Sequence, residues 1–235
     1  MKALILAAGL GTRLRPITDN RPKSMVEVNG KPILFKQLDN LIDNGIKDIT
    51  VVVGYKSEII IDAINKNYKD IKIINNNIYD KTNNMYSAYL ALESMLGQKF
   101  LLMNADVFYD SDIIKELLKE EYQDSIVIEK GIYNDENMKV SCINNRIIDI
   151  SKAIPEDSAY GVSIDVYKFS ENGSRTLYDK IKEYIEVRED LNQWTEVALN
   201  EILNTVEFLP CPLKGRWIEI DNHDDLIKAE SIFND

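Results

Sequence analysis

A chain of 235 residues with 45% hydrophobic content is long enough for one sizeable core, and a net charge of −11 argues against a nucleic-acid partner, whose phosphates are met by Lys and Arg. Its two cysteines, Cys142 and Cys211, lie in separate segments without metal-ligand spacing, which speaks against a disulfide framework or a zinc site and suits a reducing compartment. No apolar run reaches the roughly 20 residues of a membrane span, and the first residues enter a strand pattern with no basic leader, so a cytoplasmic protein without a membrane partner is expected.

The chain opens on an apolar run, residues 1–6, that breaks into Ala7-Ala8-Gly9-Leu10-Gly11-Thr12-Arg13-Leu14-Arg15-Pro16-Ile17-Thr18 and then Pro22-Lys23. This reads as a buried strand feeding a glycine loop lined with cations. Gly9 and Gly11 permit close backbone approach and positive φ, and exposed N–H groups beside guanidinium and ammonium groups stabilise phosphate oxygens. The loop is neither of two better-known phosphate loops. A dinucleotide fingerprint needs a third glycine where Leu14 stands, and a Walker loop needs Gly-Lys-Ser/Thr, whereas Gly30-Lys31 runs into Pro32. Between residues 9 and 31 five basic side chains (Arg13, Arg15, Arg21, Lys23, Lys31) face two acidic ones (Asp19, Glu27), in a chain acidic elsewhere, so a small anion such as a triphosphate is drawn to one place.

Apolar residues at helical spacing over 32–44 predict a helix with Pro32 in its first turn and Gly45 as its stop. A strand follows at 48–53, a helix at 57–67, a short strand at 71–74, a helix at 84–96 and a strand at 100–103 that ends in Asn104-Ala105-Asp106. Near-continuous apolar strands alternating with helices predict a doubly wound α/β sheet, so the first half, 1–124, is expected to be a Rossmann-like nucleotide-binding unit. From 125 the pattern changes to short strands (125–129, 139–143, 146–151, 161–166) between Asn-rich turns, where antiparallel or mixed pairing is expected. Helices at 174–185 and 195–204, a strand at 216–220 and a closing helix from His223 complete one domain, 1–235, with no repeat or linker.

Asp106 comes directly after the buried run 100–103, at the carboxyl end of a strand, where ligands of open α/β sheets bind. Asp221 ends the run Trp217-Ile218-Glu219-Ile220, in which alternation sends Ile218 and Ile220 to one face. Two such aspartates suit one Mg2+, which takes one or two carboxylates plus substrate phosphates, although either also suits a helix cap. The single histidine, His223, sits at a helix start, and no nucleophilic Ser or Cys motif is present. Tyr160 and Trp194, with Glu196 close in sequence, are candidates to line an acceptor pocket for a quaternary ammonium, or to pack in a core.

The loop pattern Leu-Ala-Ala-Gly-x-Gly-Thr-Arg-x-x-Pro-x-Thr followed by Pro-Lys resembles the signature of the nucleotidyltransferases, which couple a nucleoside triphosphate to a phosphorylated small molecule. The resemblance implies a Rossmann-like mixed sheet sandwiched by helices, similar to the GT-A fold, with a smaller acceptor-binding half at 125–235. It implies nucleotide contacts at Leu6, Ala7, Ala8, Gly9, Gly11, Thr12, Arg13 and Lys23, Mg2+ held by Asp106 and Asp221, and Lys152 in Ile150-Ser151-Lys152 on the acceptor phosphate. Arg13 would sit on the leaving phosphates and Lys23 near the reaction centre. Where thymidylyl and uridylyl enzymes carry Gln-x-x-Gly-x-Ala, this chain has Asn83-Asn84-Met85-Tyr86-Ser87, similar to the bacterial phosphocholine cytidylyltransferase branch, so CTP is the expected nucleotide, with Asn84 and Ser87 reading cytosine. The acceptor stays open among phosphocholine-like, sugar, polyol and related phosphates. A homodimer and a place in surface-polysaccharide synthesis are further implications. Three alternatives remain: a sugar-1-phosphate enzyme using UTP, dTTP or GTP, a non-catalytic nucleotide-sugar sensor, and a glycosyltransferase whose metal motif would have to be Asp110-Ser111-Asp112.

Overall fold

The computed structural model describes residues 1–131 and 133–234. Strand β1 (Lys2–Ala7) runs into the glycine loop, whose short helical turns at Thr12–Leu14, Ile17–Asp19 and Lys23–Met25 lead to a two-residue ribbon, β2 (Glu27–Val28) and β3 (Lys31–Pro32). Helix α1 (Ile33–Asp43), β4 (Asp48–Val53), α2 (Ser57–Asn67), β5 (Lys72–Asn75), α3 (Asn84–Leu92) and β6 (Phe100–Asn104) follow in alternation. The chain continues through β7 (Val107–Tyr109), α4 (Asp112–Leu117), β8 (Ser125–Glu129), β9 (Lys139–Ile143), β10 (Arg146–Ser151) and β11 (Gly161–Phe169). It closes with α5 (Glu171–Lys182), α6 (Thr195–Ile202), β12 (Leu209–Pro212), β13 (Trp217–Glu219) and α7 (His223–Ile232).

The main sheet has the order β10-β9-β11-β6-β1-β4-β5, with β8 on the other edge of β11 and β12 beside β8. Strands β6, β1, β4 and β5 are parallel, while β11 runs antiparallel to β6, β8 and β9. The expected α/β class and the change to antiparallel pairing after residue 125 both hold. Alternation along β1 sends Leu4 and Leu6 to one face and Ala3, Ile5 and Ala7 to the other. The first face is covered by α3, α5 and α6 through Met85, Leu92, Leu177, Ile181 and Leu199. The second is covered by α1, α2 and α4 through Leu34, Leu38, Ile60, Ile64 and Ile114. Each such side chain, removed from water, contributes about 1.5–3 kcal/mol, which is why near-continuous apolar strands stay between two helical layers.

Helix α1 shows how local signals place the site. Its buried stripe Ile33, Leu34, Gln37, Leu38, Leu41 follows the helical repeat, and it ends where Gly45 takes φ +81°. There the Ile46 N–H donates to the Leu41 carbonyl and the Gly45 N–H to that of Ile42, both at 2.9 Å, closing the last turn. Differences from the sequence expectation are confined to element ends and short pieces. Helix α3 stops at Leu92 and tightens into a turn over Glu93–Met95, and β11 runs on to Phe169. Strands β2, β3, β7 and β12 were not expected, and α4 was expected only as the helix that a cap at Asp110-Ser111-Asp112 would start.

Candidate active site

Parallel register sets Leu6 of β1 beside Asn104 of β6, and the Ala105 N–H donates to the Leu6 carbonyl (3.0 Å), so the glycine loop and Asp106 leave the sheet side by side. Asp106 then leads into β7, which pairs antiparallel with β13, Glu219 opposite Val107. The Ile220 N–H donates to the Asp106 carbonyl (2.9 Å), and this ribbon brings Asp221 to Asp106 across 115 residues of sequence. The corner is braced from α1: the buried Gln37 amide donates to the carbonyls of Asn104 (2.9 Å) and Val107 (2.8 Å), the residues flanking Ala105 and Asp106.

On the loop side Gly11 has φ +62°, and its carbonyl accepts from the Thr18 hydroxyl (2.8 Å), while the Tyr55 hydroxyl donates to the Thr18 carbonyl (3.0 Å). His223 opens α7, behind an Asn222–Asp225 capping box, and its Nε2 donates to the Arg15 carbonyl (2.8 Å). The only histidine thus ties α7 to the loop. Lys23 Nζ lies 2.9 Å from Asp106 Oδ2 and 2.6 Å from Asp221 Oδ1, and Arg13 Nη2 lies 2.8 Å from Asp221 Oδ2. Burial alone would lower the Lys23 ammonium's pKa; the two carboxylates overcome that and raise it well above the usual lysine range. For Asp221 burial works upward, and Lys23 and Arg13 reverse it, holding the carboxyl below its ordinary value.

Glu219, which the sequence reading left unassigned, completes a carboxylate group. One oxygen from each of Asp106, Glu219 and Asp221 lies within 4.8 Å of the others. Burial, then Asp106, Asp165 and Asp221, push the Glu219 carboxyl up to about 9. Asp106 Oδ1 is buried with no hydrogen-bond partner among the described residues. Three hard oxygen donors with an orphaned carboxylate oxygen fit a divalent cation, so these residues could hold one. The strand alternation that sends Ile218 and Ile220 inward already set Glu219 and Asp221 on the opposite face, which is the signal that could have found it.

These groups line a cleft of about 390 Å³. Its walls include Leu6, Ala7, Ala8, Gly9, Gly11, Thr12, Arg13, Lys23, Asn84, Ser87, Asp106, Lys152, Trp194, Glu196 and Asp221. Of the expected site residues only Tyr160 stays off the cleft wall: Lys130 Nζ sits 3.9 Å from its ring centroid and its carbonyl accepts from Tyr133. The quaternary-ammonium cage expected from Tyr160 and Trp194 is therefore one ring short. Asn84 reaches the cleft, but its amide is engaged, accepting from the Thr195 N–H (2.8 Å) and hydroxyl (3.3 Å) and donating to Asn104 Oδ1 (3.3 Å). The cap of α3 is Asn83, whose Oδ1 accepts from the Asn84 N–H. Ser87 accepts from Asn76, a buried amide in the wall.

Across the cleft Lys152 Nζ lies 3.5 Å from Glu136 Oε2 and 5.0 Å from the Trp194 ring centroid. Beside it stands a feature the sequence did not reveal. Asp165 sits at φ +58° in the irregularity where β11 slips register against β8 between Ser163 and Tyr167. The Tyr167 hydroxyl lies 2.9 Å from both Asp165 Oδ1 and Glu196 Oε1, and Asn104 donates to Asp165 Oδ2 (2.9 Å). Burial and then the Glu196 charge push the Asp165 carboxyl up to about 7. An acid raised in the folded state binds more protons there than in the unfolded chain, so this carboxyl's contribution to stability is full below about 4, falls as pH rises through about 7 and is lost above that. Glu196→Gln keeps an acceptor for Tyr167 and removes the like charge. Denaturant titrations at pH 5 and pH 8 are expected to show a smaller loss of stability toward pH 8 in the variant than in the parent; equal losses would count against the coupling.

The Nucleotidyl transferase family model matches residues 2–234. The chain belongs to that family. It is 30% identical to the CTP:phosphoglutamine cytidylyltransferase of Campylobacter jejuni over 253 aligned positions, covering 96% of this chain and 98% of the relative. Against the UTP–glucose-1-phosphate uridylyltransferase of Haloferax volcanii it is 35% identical over 162 positions, 67% of this chain and 66% of the relative. The solved CTP:phosphocholine cytidylyltransferase of Streptococcus pneumoniae superposes with a TM-score of 0.79 at 29% identity, covering 98% of both chains. The chain spans about half to two thirds of the length of several curated relatives that it matches. The Asp110-Ser111-Asp112 segment has a structural role: Asp110 pairs with Arg216 at 2.9 Å and Ser111 precedes α4. No helix among the described residues is long and apolar enough to cross a membrane.

Proposed function

We propose that the chain is a magnesium-dependent cytidylyltransferase that joins the CMP part of CTP to a small phosphate monoester and releases pyrophosphate. The observation that carries this reading is the meeting of Arg13 and Lys23 with Asp106, Glu219 and Asp221 at the mouth of the glycine loop, with Lys152 across the same cleft. A phosphate monoester is anionic near neutral pH and needs no general base, so positioning and charge neutralisation dominate such a transfer. An acceptor-phosphate oxygen attacks the α-phosphorus, the bond to the bridging oxygen of the β-phosphate breaks, and pyrophosphate leaves with that electron pair. Arg13 and Lys23 neutralise the triphosphate, and Lys152 orients the acceptor phosphate. Asp106 and Asp221, with Glu219 beside them, would hold Mg2+, which supplies Lewis-acid charge stabilisation at the phosphates when bound.

For the base, a uridylyl-type Gln-Gly loop is missing from residues 79–87, and two relatives named for CTP cover nearly the whole chain. Asn76 and Ser87 are polar groups in that wall which could meet a pyrimidine edge. For the acceptor, the buried Asp165–Glu196 pair and the half-exposed Trp194 ring beside Lys152 suit a nitrogen cation on the far end of the phosphate ester. With Tyr160 turned away, an amine bearing N–H donors fits better than a quaternary ammonium enclosed by rings.

Pyrophosphate release measured with CTP, UTP, dTTP and GTP, each against amino-alcohol, polyol and sugar phosphates, tests the reading. Turnover with CTP and an amine-bearing phosphate at least about tenfold above the other pairs is expected, the discrimination a few well-placed polar contacts supply. Equal rates with UTP would remove the CTP assignment. Selective turnover of UTP or dTTP with a sugar 1-phosphate would establish the alternative suggested by the Haloferax relative. Triphosphate binding without release for any pair would leave a sensor.

A further inference from the structure

The same three contacts that mark the site also fill it. Of the four oxygens of Asp106 and Asp221, three are held by side-chain cations: Asp106 Oδ2 and Asp221 Oδ1 by Lys23 (2.9 and 2.6 Å), Asp221 Oδ2 by Arg13 (2.8 Å). Only Asp106 Oδ1 lacks a partner among the described residues. A divalent ion bound by these carboxylates would stand at contact distance from the Lys23 ammonium, and two cations so close in a half-buried place repel strongly. Lys23 and a metal therefore compete for the same oxygens. The lysine is fixed at its root, where its Cβ packs on Gly11, and its side chain is 14% exposed, on a cleft wall. Beyond that root, a lysine's flexible four-carbon stem lets the ammonium turn without backbone movement.

Building on the metal assignment above, we propose that Lys23 is a resident place-holder cation for the Asp106–Asp221 pair, withdrawn by the incoming triphosphate, so that metal and nucleotide enter as a coupled pair and free metal alone binds weakly. A triphosphate brings enough negative charge to draw off both Lys23 and Arg13, which frees three carboxylate oxygens together. By linkage, whatever factor the nucleotide adds to metal affinity the metal adds to nucleotide affinity. The arrangement has a use in a cleft that also carries Asp165, Glu196 and Glu219: it keeps the Asp106 and Asp221 charges from standing unneutralised beside further carboxyl groups before substrate arrives.

The place-holder role makes Lys23 act with opposite sign on two ligands, which a purely phosphate-binding lysine would not do. Mn2+ binding to the full chain, followed by the loss of the free-ion paramagnetic resonance signal, reads it without turnover. Lys23→Met is expected to bind Mn2+ alone about tenfold or more tighter than the parent, within the ~5–150-fold range of ordinary site coupling, while its affinity for a non-reactive CTP analogue falls. Added Mn2+ should also raise the melting temperature of the variant more than that of the parent. Arg13→Gln removes a 62% exposed partner that holds only Asp221, so it keeps the fold and should shift Mn2+ affinity in the same direction by less. Unchanged or weaker Mn2+ binding in both variants, with binding still lost in Asp106→Asn, would overturn the place-holder role and leave the metal site standing. No Mn2+ bound by any form, with or without the analogue, would overturn the metal site and the place-holder together.

Discussion

Asp106→Asn is expected to lower kcat/KM for pyrophosphate release by about 10³-fold or more while the chain stays folded. The magnitude follows from removing a fixed charge next to reacting phosphates in a half-buried place, where losing one stabilising contact already costs roughly 10²–10³ and a metal supplies several kcal/mol more. Folding should change little, because the carbonyl of residue 106 still accepts from Ile220 and Gln37 still braces Asn104 and Val107. Lys23 also keeps Asp221. Pyrophosphate release set beside a denaturant midpoint separates chemistry from stability. A loss of less than about tenfold at unchanged stability would remove Asp106 from the reaction.

The second large effect is expected at Gly11. A Cβ built there would lie 2.6 Å from the Lys23 Cβ and 3.3 Å from Thr18 Cγ2, on a backbone at φ +62°. Neither neighbour gives way easily: Lys23 meets the new atom at its root, and Thr18 is pinned through its hydroxyl to Gly11 and through its carbonyl to Tyr55. Gly11→Ala should therefore cost on the order of 1 kcal/mol in stability from the left-handed conformation. It should cost about 10²-fold in kcat/KM through displacement of the loop and Lys23, the scale of a misplacement of about 1 Å at a reacting centre. Gly9→Ala is the control, since a Cβ at Gly9 meets nothing within 4 Å. Its melting temperature should match the parent's; an equal drop in both variants would show a general glycine effect instead of a clash at Lys23.

Most of the first half of the fold was legible because its signals are local. An apolar strand, a glycine loop and a helix with Gly45 at its end each declare themselves within a dozen residues. Asp106 could be placed because a strand end is a position in the sequence, and Asp221 for the same reason. Two of the strands that escaped notice, β7 and β12, are made by partners far away. Strand β7 is three residues long and exists because β13 returns to pair with it, and β12 carries Pro210 and Pro212, which lack donors and suit only a strand paired along one edge, here to β8. Asp165 was hidden for a different reason. It interrupts the apolar run of β11, and the register slip that turns it toward the cleft depends on β8, so nothing within the segment announces it. Tyr160 shows the converse: a fitting residue type near the right place, turned onto Lys130 by its surroundings.

The β7–β13 ribbon also bears on the order in which the molecule is completed. Asp106 lies on the strand-end corner of the first half, yet the residues that make it a pair, Glu219 and Asp221, arrive with a three-residue strand more than 100 positions later. Contacts of such sequence separation form late, because the chain between them must first be ordered. A partly folded chain, with the sheet assembled and β13 still undocked, would have its glycine loop but neither Glu219 nor Asp221 beside Asp106. Lys23 would then have lost one of its two carboxylate partners. The carboxylate pair, and the lysine that spans it, therefore exist only once β13 has docked, so the last strand to join the ribbon is also the one that completes the charge pattern of the cleft.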